Sequence, residues 1–269
     1  MNHLPDGTDV SHVPNERMRG HAMIEALTLS IDVEIADWDD RCRKAADRGW
    51  SDVILQHCGE ADASACERIE QAARGAVDCG LTVRGVMLEP GARSGLGEPD
   101  PERRGRAVDQ VTEWLTLTDR IGSATLILPV AALDRPDARA RYQDTLNATA
   151  WSINALRRPL ECSDASLAIV VASDGFLLSP PEARELIDRT DSPHVGACLC
   201  VRAGMPLHAA EDWIETMGRR LFAVYVSTDD AWSGVRNALV CSGFGGILAG
   251  STDSMTASSG SPSCAATPQ

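Results

Sequence analysis

The sequence predicts an α/β protein built as a single (β/α)8 barrel. Three observations carry this reading: runs of Val, Ile, Leu and Ala alternate with amphipathic stretches, eight such runs occur, and 269 residues is close to the ~250 such a barrel needs. Segments such as ATLILPV and SLAIVVA are apolar at consecutive positions, which strands buried on both faces require. Half-exposed antiparallel strands would alternate.

The strands are expected at 24–31, 52–56, 81–88, 124–130, 166–172, 195–201, 221–227 and 246–249. Between the first four, helix ends are legible. One helix opens at Asp37 and closes at Gly49, a second runs from Ser64 to Gly80, and a third carries Pro101 at its first position and ends at Gly122. Ser179-Pro-Pro-Glu starts a further short helix, 208–217 carries another that ends at Gly218, and 232–242 holds a short one. No convincing helix follows the eighth strand, so a missing or frayed final helix is expected. The alternative is an open doubly wound sheet, but no strand is followed by G-x-G-x-x-G or a P-loop. Residues 1–20 and 251–269 lack apolar periodicity and are expected to be loose, leaving 21–250 as the barrel.

Composition narrows the partners. Hydrophobic residues make up 43% of the chain and charged ones 24%, enough for a sizeable core. A formal charge of −14 repels phosphate backbones and anionic lipid, so neither nucleic acid nor a membrane is expected as a partner. No apolar run approaches ~18 residues and no signal peptide is evident, which gives a cytoplasmic expectation. The nine cysteines are odd in number and form no C-x-x-C pair, so they read as reduced thiols. Trp114, Trp151 and Trp213 lie in helical patterns and are expected to pack between helices and barrel; Trp38 and Trp232 each open a helix and are candidates to line its mouth.

Five segments, CRKAADRGWSDVIL (42–55), DPERRGRAVDQVTEWLTLTDRIGSATLIL (100–128), LAIVVASDGF (167–176), LIDRTDSPHVGACLCV (186–201) and GFGGIL (243–248), stand in a telling order and spacing. Through them the chain resembles the xylose isomerase-like sugar phosphate isomerase/epimerase superfamily, over roughly residues 24–250. The resemblance implies a divalent metal held by carboxylates and His at the C-terminal ends of strands five to eight, with side chains moving protons. At the matching positions stand Val171 and Ser173, Cys200 and Ala203, Tyr225, and Ala249 to Ser251. The expectation is therefore a barrel with a degenerate metal site, holding no metal and no cofactor.

Barrel geometry sends the residues at strand ends to one rim, and those residues are the candidates. His57, Glu89, Asp174 and Tyr225 are read as catalytic acids and bases; Arg93, Ser173, Cys200, Arg202 and Asp229 are read as substrate-binding. Each has an ordinary role open to it: a rim histidine on a backbone carbonyl for His57, a loop carboxylate for Glu89, a turn at Asp174-Gly175, a packed thiol for Cys200, bulk for Tyr225, solvation for Asp229. Three functions follow. The first is a metal-independent isomerase, lyase or cyclase acting on a small polar molecule; the second is a barrel that binds a small molecule or partner protein without turnover; the third is a conventional metal-dependent isomerase/epimerase. Oligomeric state is not set by the sequence.

Overall fold

The computed structural model describes residues 22–31, 35–58, 63–88, 95–130, 142–172, 176–177 and 179–250. Eight strands pair in parallel and in sequence order, β1 (Ile24–Ser30), β2 (Asp52–His57), β3 (Thr82–Leu88), β4 (Thr125–Leu128), β5 (Ser166–Val171), β6 (Val195–Val201), β7 (Leu221–Val226) and β8 (Ile247–Gly250). The last meets the first, from Ile24 opposite Ile247 to Leu27 opposite Gly250, which closes the barrel. Every residue of β4, β5, β6 and β8 is buried, as their unbroken apolar character requires.

Among the described residues eight α-helices accompany the strands: α1 (Ile35–Asp47), α2 (Ala63–Asp78), α3 (Pro101–Arg120), α4 (Tyr142–Ala155), α5 (Arg157–Glu161), α6 (Pro180–Thr190), α7 (Leu207–Met217) and α8 (Asp229–Cys241). The start of α3 follows from its sequence: Asp100 accepts a hydrogen bond from the Arg103 N–H at 2.8 Å, and Pro101 fills a position whose N–H would have had no partner. Gly80 (φ 80°) and Gly122 (φ 71°) stop α2 and α3 in the left-handed conformation that glycine adopts without penalty.

Side chains alternate between two apolar layers. Ala26, Ile54, Met87, Ile127, Val170 and Ile247 belong to the lumen cluster, whereas Leu27, Val53, Leu126 and Leu199 join the larger core under the helices. Two extra residues interrupt the alternation. One lies in β3 opposite Val53 and Ile54, where Arg84 turns to pair with Asp52 at 2.5 Å. The other lies in β7 opposite Ala197 and Cys198, and puts the Phe222 ring into the lumen cluster. A Cβ built on Gly196 would stand 2.5 Å from that ring, so only glycine leaves the space Phe222 fills.

The eight expected strands are all present, with ends shifted by a residue or two; the greatest trimming is 124–130, which pairs only over Thr125–Leu128. The segment at 232–242 is α8, which starts earlier, at Asp229. This helix reaches across β8 to β1, where Arg236 Nε donates to Glu25 Oε1 at 2.6 Å, and Trp232 meets Trp50 edge to face with centroids 6.1 Å apart. The residues after Gly250, where the final helix was expected to be missing, lie outside the described residues, as do the ends at 1–20 and 251–269.

Three tryptophan expectations are corrected. Trp151 on α4 is 53% exposed and is covered by the Arg104 guanidinium, 4.7 Å above its ring, instead of packing in the core. Trp38 is buried with its indole N–H on the Ala72 carbonyl at 2.9 Å, and Trp232 is buried against Trp50, so neither is a free face at the mouth.

Candidate functional site

Parallel strands carry their C-terminal ends to one mouth of the barrel, and alternation decides which side chains look into it. Counting from the lumen cluster, the inward positions near that mouth include Thr28 and Ser30 on β1, Gln56 on β2, Val170 on β5, Cys200 on β6, Tyr225 on β7 and Ala249 on β8, with Arg202 and Ser227 just past their strands at the rim. The floor below them is apolar.

Cys200 and Tyr225 face one another across the β6–β7 ladder, in register. Cys200 is buried, and half-buried Tyr225 packs against the lumen cluster. Arg202, two residues beyond Cys200 and just past the end of β6, is exposed and donates from Nη2 to the Ala172 carbonyl at 3.3 Å. Ala172 holds φ at +59°, a left-handed conformation that costs an L-residue roughly 1–2 kcal/mol. Its N–H in turn donates to the Leu177 carbonyl at 3.2 Å, so contacts on both sides fix the strained turn where β5 enters its loop. Strain held in this way is common at ligand-binding positions.

Arg202 also borders a cleft of about 290 Å³ between the β6–α7 loop and the start of α8, whose other walls include Met205, Leu207, Thr228, Asp230 and Val235. Asp229 opens α8 beside that cleft and is exposed. Arg202 therefore stands between lumen and cleft.

Cys200 and Tyr225 thus meet at the mouth, with Arg202 at its rim. His57 does not: it shares the outward parity of Val53 and Leu55, is 1% exposed, and stacks on Trp114 of α3 with centroids 6.0 Å apart. The reading of His57 as a rim base is corrected by that parity. Glu89, Arg93, Ser173 and Asp174 lie outside the described residues. Sequence reasoning missed Thr28 and Gln56. Thr28 is 6% exposed and its Oγ1 has no hydrogen-bond partner, a buried hydroxyl on the lumen side of β1. Counting alternate residues along each strand, and not only the last one, would have found both.

The metal implied by the family resemblance does not fit these residues. Val171 and Ala172 pack in the helix-side core, and the inward residue beside them is Val170; none has a donor side chain. Ala249 offers none either, so of the matching positions among the described residues Cys200 and Tyr225 alone carry a donor, where a hard divalent cation takes several carboxylate or imidazole ligands. Among the described residues, no three His, Cys, Asp or Glu side chains gather where they could hold an ion. No described helix is long and apolar enough to cross a membrane.

Solved structures share this fold. D-psicose 3-epimerase from Clostridium cellulolyticum H10, crystallised with D-tagatose, is 14% identical and superposes with a TM-score of 0.68 over 85% of this chain and 84% of its own. An L-ribulose 3-epimerase, 16% identical, gives 0.68 over 88% and 84%. The 3-keto-D-glucoside 4-epimerase of E. coli, 12% identical, gives 0.67 over 85% and 91%. No curated protein matches the chain in sequence. A family model does match residues 42–236, from α1 to α8, and the chain belongs to the family that it describes, the xylose isomerase-like TIM barrel.

Proposed function

We propose that the chain is an isomerase/epimerase-like barrel protein that works without the family's metal, moving protons by acid/base chemistry on a small polyhydroxylated molecule with a carbonyl group. The observation that carries this reading is Tyr225 at the lumen side of β7, in register with Cys200, with Arg202 two residues beyond Cys200 at the rim, above an apolar floor. Removing a proton from the carbon beside a carbonyl builds negative charge on the carbonyl oxygen. A guanidinium placed at that oxygen stabilises the charge, and a phenol beside it donates a hydrogen bond that strengthens as the charge grows. In this proposal Arg202 and Tyr225 take those two roles, and Thr28 and Gln56 hold hydroxyl groups of the ligand. Glu89, directly after β3, and Asp174, shortly after β5, supply the carboxylate that takes the proton. Arg93, Ser173, Cys200 and Asp229 complete the proposed ligand contacts. The sugar epimerases that share the fold act on molecules of this class.

A second reading has an observation of its own. Among the described residues no inward position at the C-terminal strand ends carries a carboxylate, and His57 faces away. That arrangement suits a barrel that binds such a molecule without converting it. Incubation with ketohexoses and their phosphates in D2O, with a chelator present, separates the two. Proton NMR is expected to show deuterium entering the carbon beside the carbonyl, and the exchange is expected to be lost in Tyr225→Phe and Arg202→Ala. Line broadening of a probe without exchange favours the binding protein; exchange that survives in both variants sinks the proposed roles.

A further inference from the structure

Cys42 lies midway along α1 with its side chain fully buried, and Cys79 is the first residue past α2 and half-exposed. The two helices approach closely. The Trp38 indole reaches the Ala72 carbonyl, and a Cβ built on Gly75 would stand 2.9 Å from Trp38 Cδ1, so a larger residue there would push α1 away. The Cys79 thiol lies 4.0 Å from the Asp39 carbonyl, one turn before Cys42 on α1, and is near enough to the Cys42 thiol to help push its pKa up. Two thiols from separate elements are thus neighbours.

Cys198 and Cys200 form a contrasting pair. They stand two apart on one strand, where the rise places their Cβ atoms roughly 6–7 Å apart, beyond the ~4 Å a disulfide spans. No small adjustment of side chains joins those two. Cys42 and Cys79 instead come from two elements packed side by side, with the Cys79 thiol against the turn of α1 that precedes Cys42.

We propose that Cys42 and Cys79 are an oxidation site, closing to a disulfide that staples α1 to the end of α2 when a low-molecular-weight disulfide is present. Cys79, the reachable member, attacks the small disulfide as a thiolate, forming a mixed disulfide and releasing one small thiolate. Cys42 then loses its proton and attacks the Cys79 sulfur, which expels the second small thiolate. Two protein thiols are oxidised, one small disulfide is reduced to two thiols, and the two protons end on those thiols. The staple closes a loop that contains β2, the strand carrying Gln56 to the mouth.

The test uses the full chain, incubated with glutathione disulfide, alkylated at its remaining thiols, digested and analysed by mass spectrometry. The expected result is a linked peptide joining Cys42 to Cys79, lighter by two hydrogens than its reduced parts, with a higher melting temperature that dithiothreitol reverses. Cys79→Ser, at a half-exposed position, should fold, give no linked peptide and lose the reversible shift. Cys42→Ala should stop at the mixed disulfide on Cys79. Full alkylation of both residues after oxidation overturns the proposal, as does a mixed disulfide on Cys79 that persists in the unaltered chain, or a bridge from either residue to Cys58 or Cys66.

Discussion

Arg236 on α8 and Glu25 on β1, 211 positions apart, form an ion pair at 2.6 Å in which both side chains are largely buried. The pair fastens the last described helix across the seam where the barrel closes. Arg236→Met leaves a carboxylate in a place already withdrawn from water, and the expected loss is about 1–3 kcal/mol. The double variant Glu25→Leu, Arg236→Met should lose clearly less than the sum of the single changes. Urea unfolding of the four proteins measures the cycle, and strictly additive losses would show that the two side chains are uncoupled.

His57 is expected to act on stability and not on binding. Its ring fills a buried space against Trp114, so His57→Ala should lower unfolding free energy by about 2–4 kcal/mol, the range for emptying a core position. Binding per folded molecule should be unchanged. A stable variant with impaired binding would return His57 to the mouth.

Ala172 offers a change in the opposite direction. At φ +59° glycine removes the left-handed penalty but brings a more flexible unfolded chain, which offsets roughly 0.5–1 kcal/mol. Ala172→Gly is therefore expected to gain up to about 1 kcal/mol, and Ala172→Val to lose stability. Thermal melts of both variants check the order; a destabilised glycine variant would contradict it.

Alkaline pH should weaken the fold. Burial pushes the Cys42 thiol up to about 12, with Cys79 and Asp39 adding to the effect, and burial also pushes the Cys198 thiol upward. In the unfolded chain both release their protons near pH 9 while the folded chain keeps them. The unfolded state is thus favoured as pH rises above that value, by about 1.4 kcal/mol per unit for each thiol. Replacing both by Ala should flatten the decline between pH 9 and pH 11 relative to the unaltered chain, each measured by denaturant unfolding. An unchanged slope would remove the thiols as its cause.

The barrel was legible because burial on both faces leaves a direct mark: β5 and β6 are unbroken apolar runs, and glycines punctuate the first three βα units. The site was legible only in part. Strand ends point to the mouth as a region, but a single residue of offset turns a side chain from lumen to helix layer, as at His57 and Val171. The extra residue in β7 is invisible in an apolar run such as LFAVYV, where nothing marks Phe222 as the one that breaks alternation. Between β4 and β5 the helices α4 and α5 were not delimited, because Thr, Ser and Asn positions are buried in α4 or interleave with its apolar ones and blur the helical period.

Phe222, seated over Gly196, fills the lumen near the N-terminal ends of the strands with its ring. The two positions are therefore bound as a pair on neighbouring strands. A side chain at 196 calls for a smaller one at 222, and neither can be exchanged alone without displacing the strand beside it.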